Sequence, residues 1–212
     1  MLQIRWHGHS CFEITNDVTI VTDPHDGRSI GIPEPTVKAD IVLVTHNHYD
    51  HNSVKSVEKP GNKVITDDRK RTIDNVQIQG IETFHDAVSG AKRGKNIIYK
   101  FVSDGVTFCH LGDLGHTLDE KTLQQIGKVD ILFVPIGGIY TIDADQAWSV
   151  IRAIKPAIAI PMHYRIEGLS LPIAGLDPFL ARNNYKILKV GNEMDIEKDE
   201  LPKEPEVWVF TL

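Results

Sequence analysis

The stretch Asp40-Ile41-Val42-Leu43-Val44-Thr45-His46-Asn47-His48-Tyr49-Asp50-His51 decides how this chain is read. A short aliphatic run, of the length of a buried strand, opens directly onto three imidazoles and a carboxylate, His46, His48, Asp50 and His51. Core packing has no use for polar groups at that density, whereas imidazole and carboxylate together are a ligand set for zinc and related divalent ions. The same arrangement recurs three times. Residues 76–83 lead to His85, residues 106–109 to Asp113, and residues 157–160 to His163. Strands that end at one edge of a layered fold put their loops side by side, so groups far apart in sequence can build one site.

Working outward, apolar runs and alternations at residues 2–6, 11–15, 18–22, 64–66, 97–102, 131–134, 187–190 and 207–210 also read as strands. Helix signals are fewer. Asn52 or Ser53 can cap a short helix reaching Val57, and Thr117 with Glu120 has capping-box spacing ahead of Leu123, Ile126 and the terminating Gly127. Asp143 precedes the stripe Ala147, Val150, Ile151 and Ile154, which Lys155-Pro156 stops, and Asp177-Pro178 reads as a cap followed by a first-turn proline. Many strands separated by few helices imply an α/β fold, two sheets face to face with helices outside. At 212 residues and 41% hydrophobic content the expectation is one domain over residues 1–212. Residues 25–36, 89–95 and 165–175 are rich in Gly, Pro and charge and read as surface loops, and residues 197–206 as a solvated charged segment.

A net charge of −6 argues against affinity built on gripping a nucleic-acid backbone, so no stable nucleic-acid partner is expected. No run approaches the roughly 20 apolar residues of a membrane span, and Met1 to Arg5 enter strand-like alternation without a secretory apolar segment. A cytoplasmic location is the expectation. Cys11 and Cys109 lie inside apolar segments and read as buried reduced thiols.

His46, His48, Asp50 and His51 match the H-x-H-x-D-H signature of the metallo-β-lactamase superfamily, and His85, Gly112-Asp113 and His163 fall where that family has its remaining ligands. The chain therefore resembles that superfamily over most of its length. The segments Gly8-His9-Ser10-Cys11-Phe12, His110-Leu111-Gly112-Asp113, Pro135-Ile136-Gly137-Gly138 and Ile160-Pro161-Met162-His163-Tyr164 resemble one branch in particular. It holds small metal-dependent hydrolases related to L-ascorbate 6-phosphate lactonase and N-acylphosphatidylethanolamine phospholipase D. The resemblance implies a four-layer αββα sandwich and two divalent ions, zinc first, with Mn2+ or Fe2+ as alternatives. It assigns one ion to His46, His48 and His85, the other to Asp50, His51 and His163, with Asp113 between them. It further implies a bridging hydroxide as nucleophile, its pKa brought from about 15.7 toward about 7, with Asp50 taking the proton. Two such ions bring about +4 against two carboxylates, so a small anionic substrate is expected, a phosphodiester or a lactone. A ligand-sensing module without turnover and a diiron redox protein are the competing readings. The superfamily's diiron members usually exchange a ligand of the H-x-H-x-D-H signature for Glu and carry a flavin domain, and neither is found in this sequence. β-Lactam hydrolysis is not expected without a secretory segment. Short chains of this fold have little to roof their pocket, so a homo-oligomer is anticipated.

Several other residues stand close to these motifs. His9 can orient a ligand by hydrogen bonding, and Asp23, in Thr22-Asp23-Pro24, either orients one or merely forms a turn. His110 and His116 bracket Asp113 and read as supporting or structural groups. Arg93 and Lys95 can grip a phosphate or carboxylate or simply be solvated, and Tyr140 and Tyr164 can polarise a reacting oxygen or pack. Substrate identity is expected to lie in the three loops named above.

Overall fold

The computed structural model describes residues Met1–Leu212. Alternation is plainest in β1 (Leu2–Trp6), where Leu2, Ile4 and Trp6 turn inward. The chain continues through β2 (Phe12–Thr15), β3 (Thr19–Thr22), β4 (Ile41–Leu43), β5 (Lys63–Ile65), β6 (Arg71–Ile73), β7 (Val76–Phe84), β8 (Lys95–Ser103) and β9 (Val106–His110). Then come α1 (Glu120–Ile126), β10 (Ile131–Pro135), α2 (Ala144–Ile154), β11 (Ile158–Met162), α3 (Asp177–Leu180), β12 (Lys186–Lys189), β13 (Glu193–Ile196) and β14 (Glu206–Val209). One sheet has the order β13-β1-β2-β3-β4-β5 and the other β12-β14-β11-β10-β9-β8-β7-β6. This is the architecture of a metallo-β-lactamase fold.

The two sheets share one large apolar core. Phe12 of the first sheet meets Phe133 of the second with ring centroids 4.3 Å apart. The Tyr99 hydroxyl, from β8, lies 3.2 Å from the carbonyl oxygens of both Val44 and Ile65 and so ties the ends of β4 and β5 to the opposite sheet. In β4, Ile41 and Leu43 enter the main core while Val42 enters a second cluster with Cys11, Val21, Ala39, Val44 and Val57. That outer cluster is covered by a 3-10 turn, Val54–Val57, which Ser53 precedes without a side-chain cap. On the other sheet α2 packs over β10, and its Trp148 stacks on Phe179 of α3 with centroids 4.8 Å apart. Asp143 and Gln146 close the capping box of α2, and Lys155 ends it in the left-handed region at φ 57°.

Local boundaries differ from expectation in instructive ways. The cap of α1 is Asp119, whose carboxylate accepts from Thr122 N at 2.8 Å, rather than the Thr117–Glu120 pair, because Asp119 directly abuts the first helical residue. Asp177 is the first residue of α3, with Leu176 before it. Residues 25–36 and 165–175 are not merely surface loops: Ile30, Ile32, Leu169 and Ile173 bury one another, and Ser170 N donates to Ile30 O at 2.9 Å. Lys95 opens β8 instead of closing a loop. β6 and β13 go beyond the expected strands. β6 reaches β7 through Asp74 and Asn75, both at positive φ (47° and 67°), the requirement of a type I′ hairpin. No helix is long and apolar enough to cross a membrane.

Both cysteines are free and fully buried. Burial pushes the Cys109 thiol up to about 12 and that of Cys11 well above its ordinary value. A thiol-disulfide reagent at pH 8 is therefore expected to leave the native protein unlabelled over minutes and to label two thiols after denaturation. Rapid labelling of either cysteine in the folded protein would contradict this packing.

Candidate metal centre

Strand direction builds the site. β9, β10 and β11 are mutually parallel, and β7 runs the same way as β9 because both pair antiparallel with β8. His85, Asp113 and His163, just past the ends of β7, β9 and β11, thus emerge at one edge of the second sheet. His46, His48, Asp50 and His51 follow β4 of the first sheet in a tight loop, with His51 N and Asn52 N both donating to His48 O.

The two edges meet at Asp113. Its Oδ2 lies 3.2 Å from His85 Nε2, 3.2 Å from His163 Nε2, 3.3 Å from His51 Nε2 and 3.8 Å from His46 Nε2. The candidate ligand atoms of His46, His48 and His85 all lie within 4.8 Å of one another, and so do those of His9, Asp50, His51 and His163, and of His46, His51 and Asp113. Six of the seven residues implied by the family resemblance thus fall into its two groups, with His9 added to the second, and Asp113 joins His46 of one to His51 of the other.

The donor set fits divalent ions. His46 Nε2, His51 Nε2 and Asp113 Oδ1 are buried without any hydrogen-bond partner. An unsatisfied buried polar group costs about 1–3 kcal/mol, a penalty that coordination removes. Burial, followed by the nearby His51, lowers the pKa of His46 to about 3, and burial with the nearby His85 lowers that of His48. Both imidazoles are thereby held in the neutral form a metal requires. Burial opposes ionisation of Asp113, but His163 and His51 outweigh it and hold this carboxyl well below the usual range. For His51 the sign is reversed: burial disfavours its charge, yet Asp113 and Asp50 raise its pKa. A divalent ion would replace the proton that this cluster of carboxylates draws in.

An outer ring fixes these groups. Asp23, fully buried at φ 39°, accepts from Thr45 N (2.8 Å), Thr45 Oγ1 (2.9 Å) and His110 Nε2 (2.9 Å), and stands 3.2 Å from His51 Nδ1. Since the Thr45 hydroxyl proton goes to Asp23, its oxygen accepts from His46 Nδ1 at 2.8 Å, which leaves the Nε2 lone pair of His46 facing Asp113. His9 Nε2 donates to Asp50 Oδ2 at 3.0 Å, with burial, then His163, lowering the His9 pKa to about 3. Asn96 accepts from Asp113 N at 2.9 Å and donates to Leu111 O at 2.9 Å, gripping the turn that presents the carboxylate. Gly112 in that turn sits at φ 56°, and a Cβ there would strike Asn96 Oδ1 and Thr45. Beyond the ligands a cavity of about 290 Å³ opens between Tyr49, Arg93, Tyr140 and Leu171.

A domain family described as a beta-lactamase superfamily domain matches residues 3–163. The chain belongs to the metallo-β-lactamase superfamily. Among relatives, a UPF0173 metal-dependent hydrolase of Thermoplasma acidophilum is 31% identical over 79% of this chain and 85% of its own length. One from Thermoplasma volcanium is 30% identical over 96% and 99% respectively. A solved structure from Thermotoga maritima, described as a candidate zinc-dependent hydrolase of the metallo-β-lactamase superfamily, is 37% identical and covers 99% of this chain and 98% of its own, with a TM-score of 0.83. This superfamily member thus falls in the UPF0173-like branch.

Within this metallo-β-lactamase scaffold the structure decides several residues the sequence left open. Tyr164 cannot polarise a reacting oxygen: its hydroxyl donates to Phe210 O at 3.3 Å and its ring stacks on Trp6. His116 accepts from Phe84 N, and Lys95 pairs with Glu82, so neither joins the ligands. Thr45, Tyr49 and Leu171, from residues 40–51 and 165–175, join the site although the sequence assigns them no role, and Asn96 joins it with no sequence signal at all. Asp23→Asn sets an amide N–H against either Thr45 N or the pair Thr45 Oγ1 and His110 Nε2, and is expected to weaken divalent-metal retention about 10- to 100-fold. Competition with a chromophoric chelator measures this. Unchanged retention would remove Asp23 from the account.

Proposed function

We propose that this protein is a dinuclear, zinc-dependent hydrolase, one domain over residues 1–212, that cleaves an ester-like bond in a small anionic molecule, a phosphodiester or a lactone. The observation that carries the reading is the crowding of four imidazole Nε2 atoms around one carboxylate oxygen of Asp113. The naming of its relatives as metal-dependent hydrolases supports it. His46, His48 and His85 would hold one ion and Asp50, His51 and His163 the other, with Asp113 serving both. When bound, the pair supplies Lewis acidity toward a substrate oxygen and lets water ionise near pH 7 instead of about 15.7.

The chain's own groups do the rest. Asp50 borders the cavity, and His9 holds its Oδ2, which leaves Oδ1 without a protein hydrogen bond to accept the proton that water gives up. Asp50 is ionised over the whole working range, because His51 and His9 outweigh the effect of its burial. Tyr49, Tyr140 and Leu171 wall the cavity against bulk water. Two carboxylates against about +4 leave the centre cationic within an acidic protein, which favours an anionic substrate. A reducing, cytoplasmic setting is part of the proposal and agrees with two unpaired buried cysteines.

The zinc-loaded protein is expected to turn over an activated phosphodiester or a member of a lactone panel. Chelation should abolish the rate and zinc restore it, and Asp113→Ala should lower kcat/KM by about a thousandfold, the loss of several kcal/mol of transition-state stabilisation. Turnover indifferent to chelation would refute the reading, and tight binding of a lactone without turnover would favour a sensor.

A further inference from the structure

Among the residues that line the cavity, Arg93 is the one permanently cationic side chain. Arg5, Arg69, Arg71 and Arg182 each close on a carboxylate. Arg28, Arg93, Arg152 and Arg165 close on none, and of these only Arg93 lines the cavity. Its guanidinium carbon stands over the Tyr140 ring, 5.4 Å from the centroid, half-buried at the rim of the cavity. In the adjoining groove, Asp67 is taken by Arg69 and Arg71 and Glu82 by Lys95, while Asp68 forms no ion pair with Arg93 or any other cation.

The backbone that carries Arg93 is built in advance. Asp86, directly after His85, accepts four backbone N–H groups: Val88 (2.9 Å) and Gly90 (2.8 Å) on Oδ1, Lys92 (2.9 Å) and Arg93 (2.8 Å) on Oδ2. Gly94 N donates to Gly90 O, and His85 N donates to Gly94 O, so the loop closes on the same residue that presents an imidazole to Asp113. One carboxylate thus ties Arg93 at a fixed place relative to the candidate metal ligands. Tyr140, from the segment between β10 and α2, is itself packed on the apolar cluster of Ile30, Ile32, Leu169 and Ile173. A guanidinium set on an aromatic ring keeps N–H donors for a bidentate acceptor and loses little freedom when it binds one.

We infer that Arg93 anchors an oxyanion of the substrate, a carboxylate or a phosphate, distinct from the bond that is cleaved. This rests on the hydrolase reading above. The substrate is then a compact bifunctional molecule: its ester-like bond lies at Asp113, its oxyanion at Arg93, and its apolar body between Tyr49 and Leu171. A cavity of about 290 Å³ sets that size, at the small end of ligand pockets.

The test pairs phenyl acetate with 2-, 3- and 4-acetoxybenzoate, which add one carboxylate at three distances, on zinc-loaded wild type, Arg93→Gln and Arg93→Lys. The wild type should prefer the best acetoxybenzoate over phenyl acetate. Arg93→Gln should lower kcat/KM on that isomer about 30-fold, the worth of a charge-assisted hydrogen bond. It should leave phenyl acetate and zinc content unchanged, Arg93→Lys should fall between, and added guanidinium ion should restore the Gln variant on the charged ester alone. Equal losses on both esters, no loss on either, or a wild-type preference for phenyl acetate would overturn the inference. If the wild type cleaves neither ester, binding of the hydroxybenzoates decides. Affinity at least tenfold weaker in Arg93→Gln upholds the anchor while the hydrolase reading fails, and equal affinity overturns the anchor as well.

Discussion

Everything in this structure turns on the oxygen of Asp113 that four imidazoles approach. Two of those nitrogens and the second oxygen of the same carboxylate are buried with no hydrogen-bond partner. At about 1–3 kcal/mol apiece, a handful of such groups consumes a large part of the about 5–15 kcal/mol by which a domain is stable. Zinc bound to a structural site returns about 10–16 kcal/mol of apparent free energy. The comparison shows which effect wins: the arrangement is unfavourable as polar packing and favourable as a coordination sphere.

The rest of the fold reads as the means of holding that arrangement. Strands running the same way bring His85, Asp113 and His163 to one edge, and Tyr99 fastens the loop after β4 to the facing sheet. Backbone strain collects at the same place: His9, Asp23 and His163 adopt φ of 53°, 39° and 51°, values unusual for residues with side chains. His163 N donates to His9 O at 3.2 Å, so two of these strained positions support each other across the site. Asp23 concentrates the support for both His46 and His51 in one buried carboxylate.

Much of this was legible in the sequence because its signals are local. The His46–His51 motif, the aliphatic runs that precede each ligand and the apolar stripe of α2 between Asp143 and Lys155-Pro156 depend on neighbours a few positions away, and the structure places them as expected. What stayed hidden depends on tertiary contact. Asn96 looks like an ordinary polar residue in a strand until Gly112-Asp113 is laid against it. Asp86 carries no signal beyond standing next to His85, yet it holds four amides further along the loop. The Gly- and Pro-rich composition of residues 25–36 hid isoleucines that pair with those of a loop far along the chain. For Tyr164 the sequence left polarising and packing open, and the fold decides for packing: it follows the left-handed His163, stacks on Trp6 and bonds to Phe210 O.

The most direct measurement is anomalous diffraction at the zinc edge from crystals of the zinc-loaded protein. The account requires two peaks per chain, one among His46, His48 and His85 and one among Asp50, His51 and His163, with Asp113 touching both. A single peak, or ions bound away from Asp113, would contradict it.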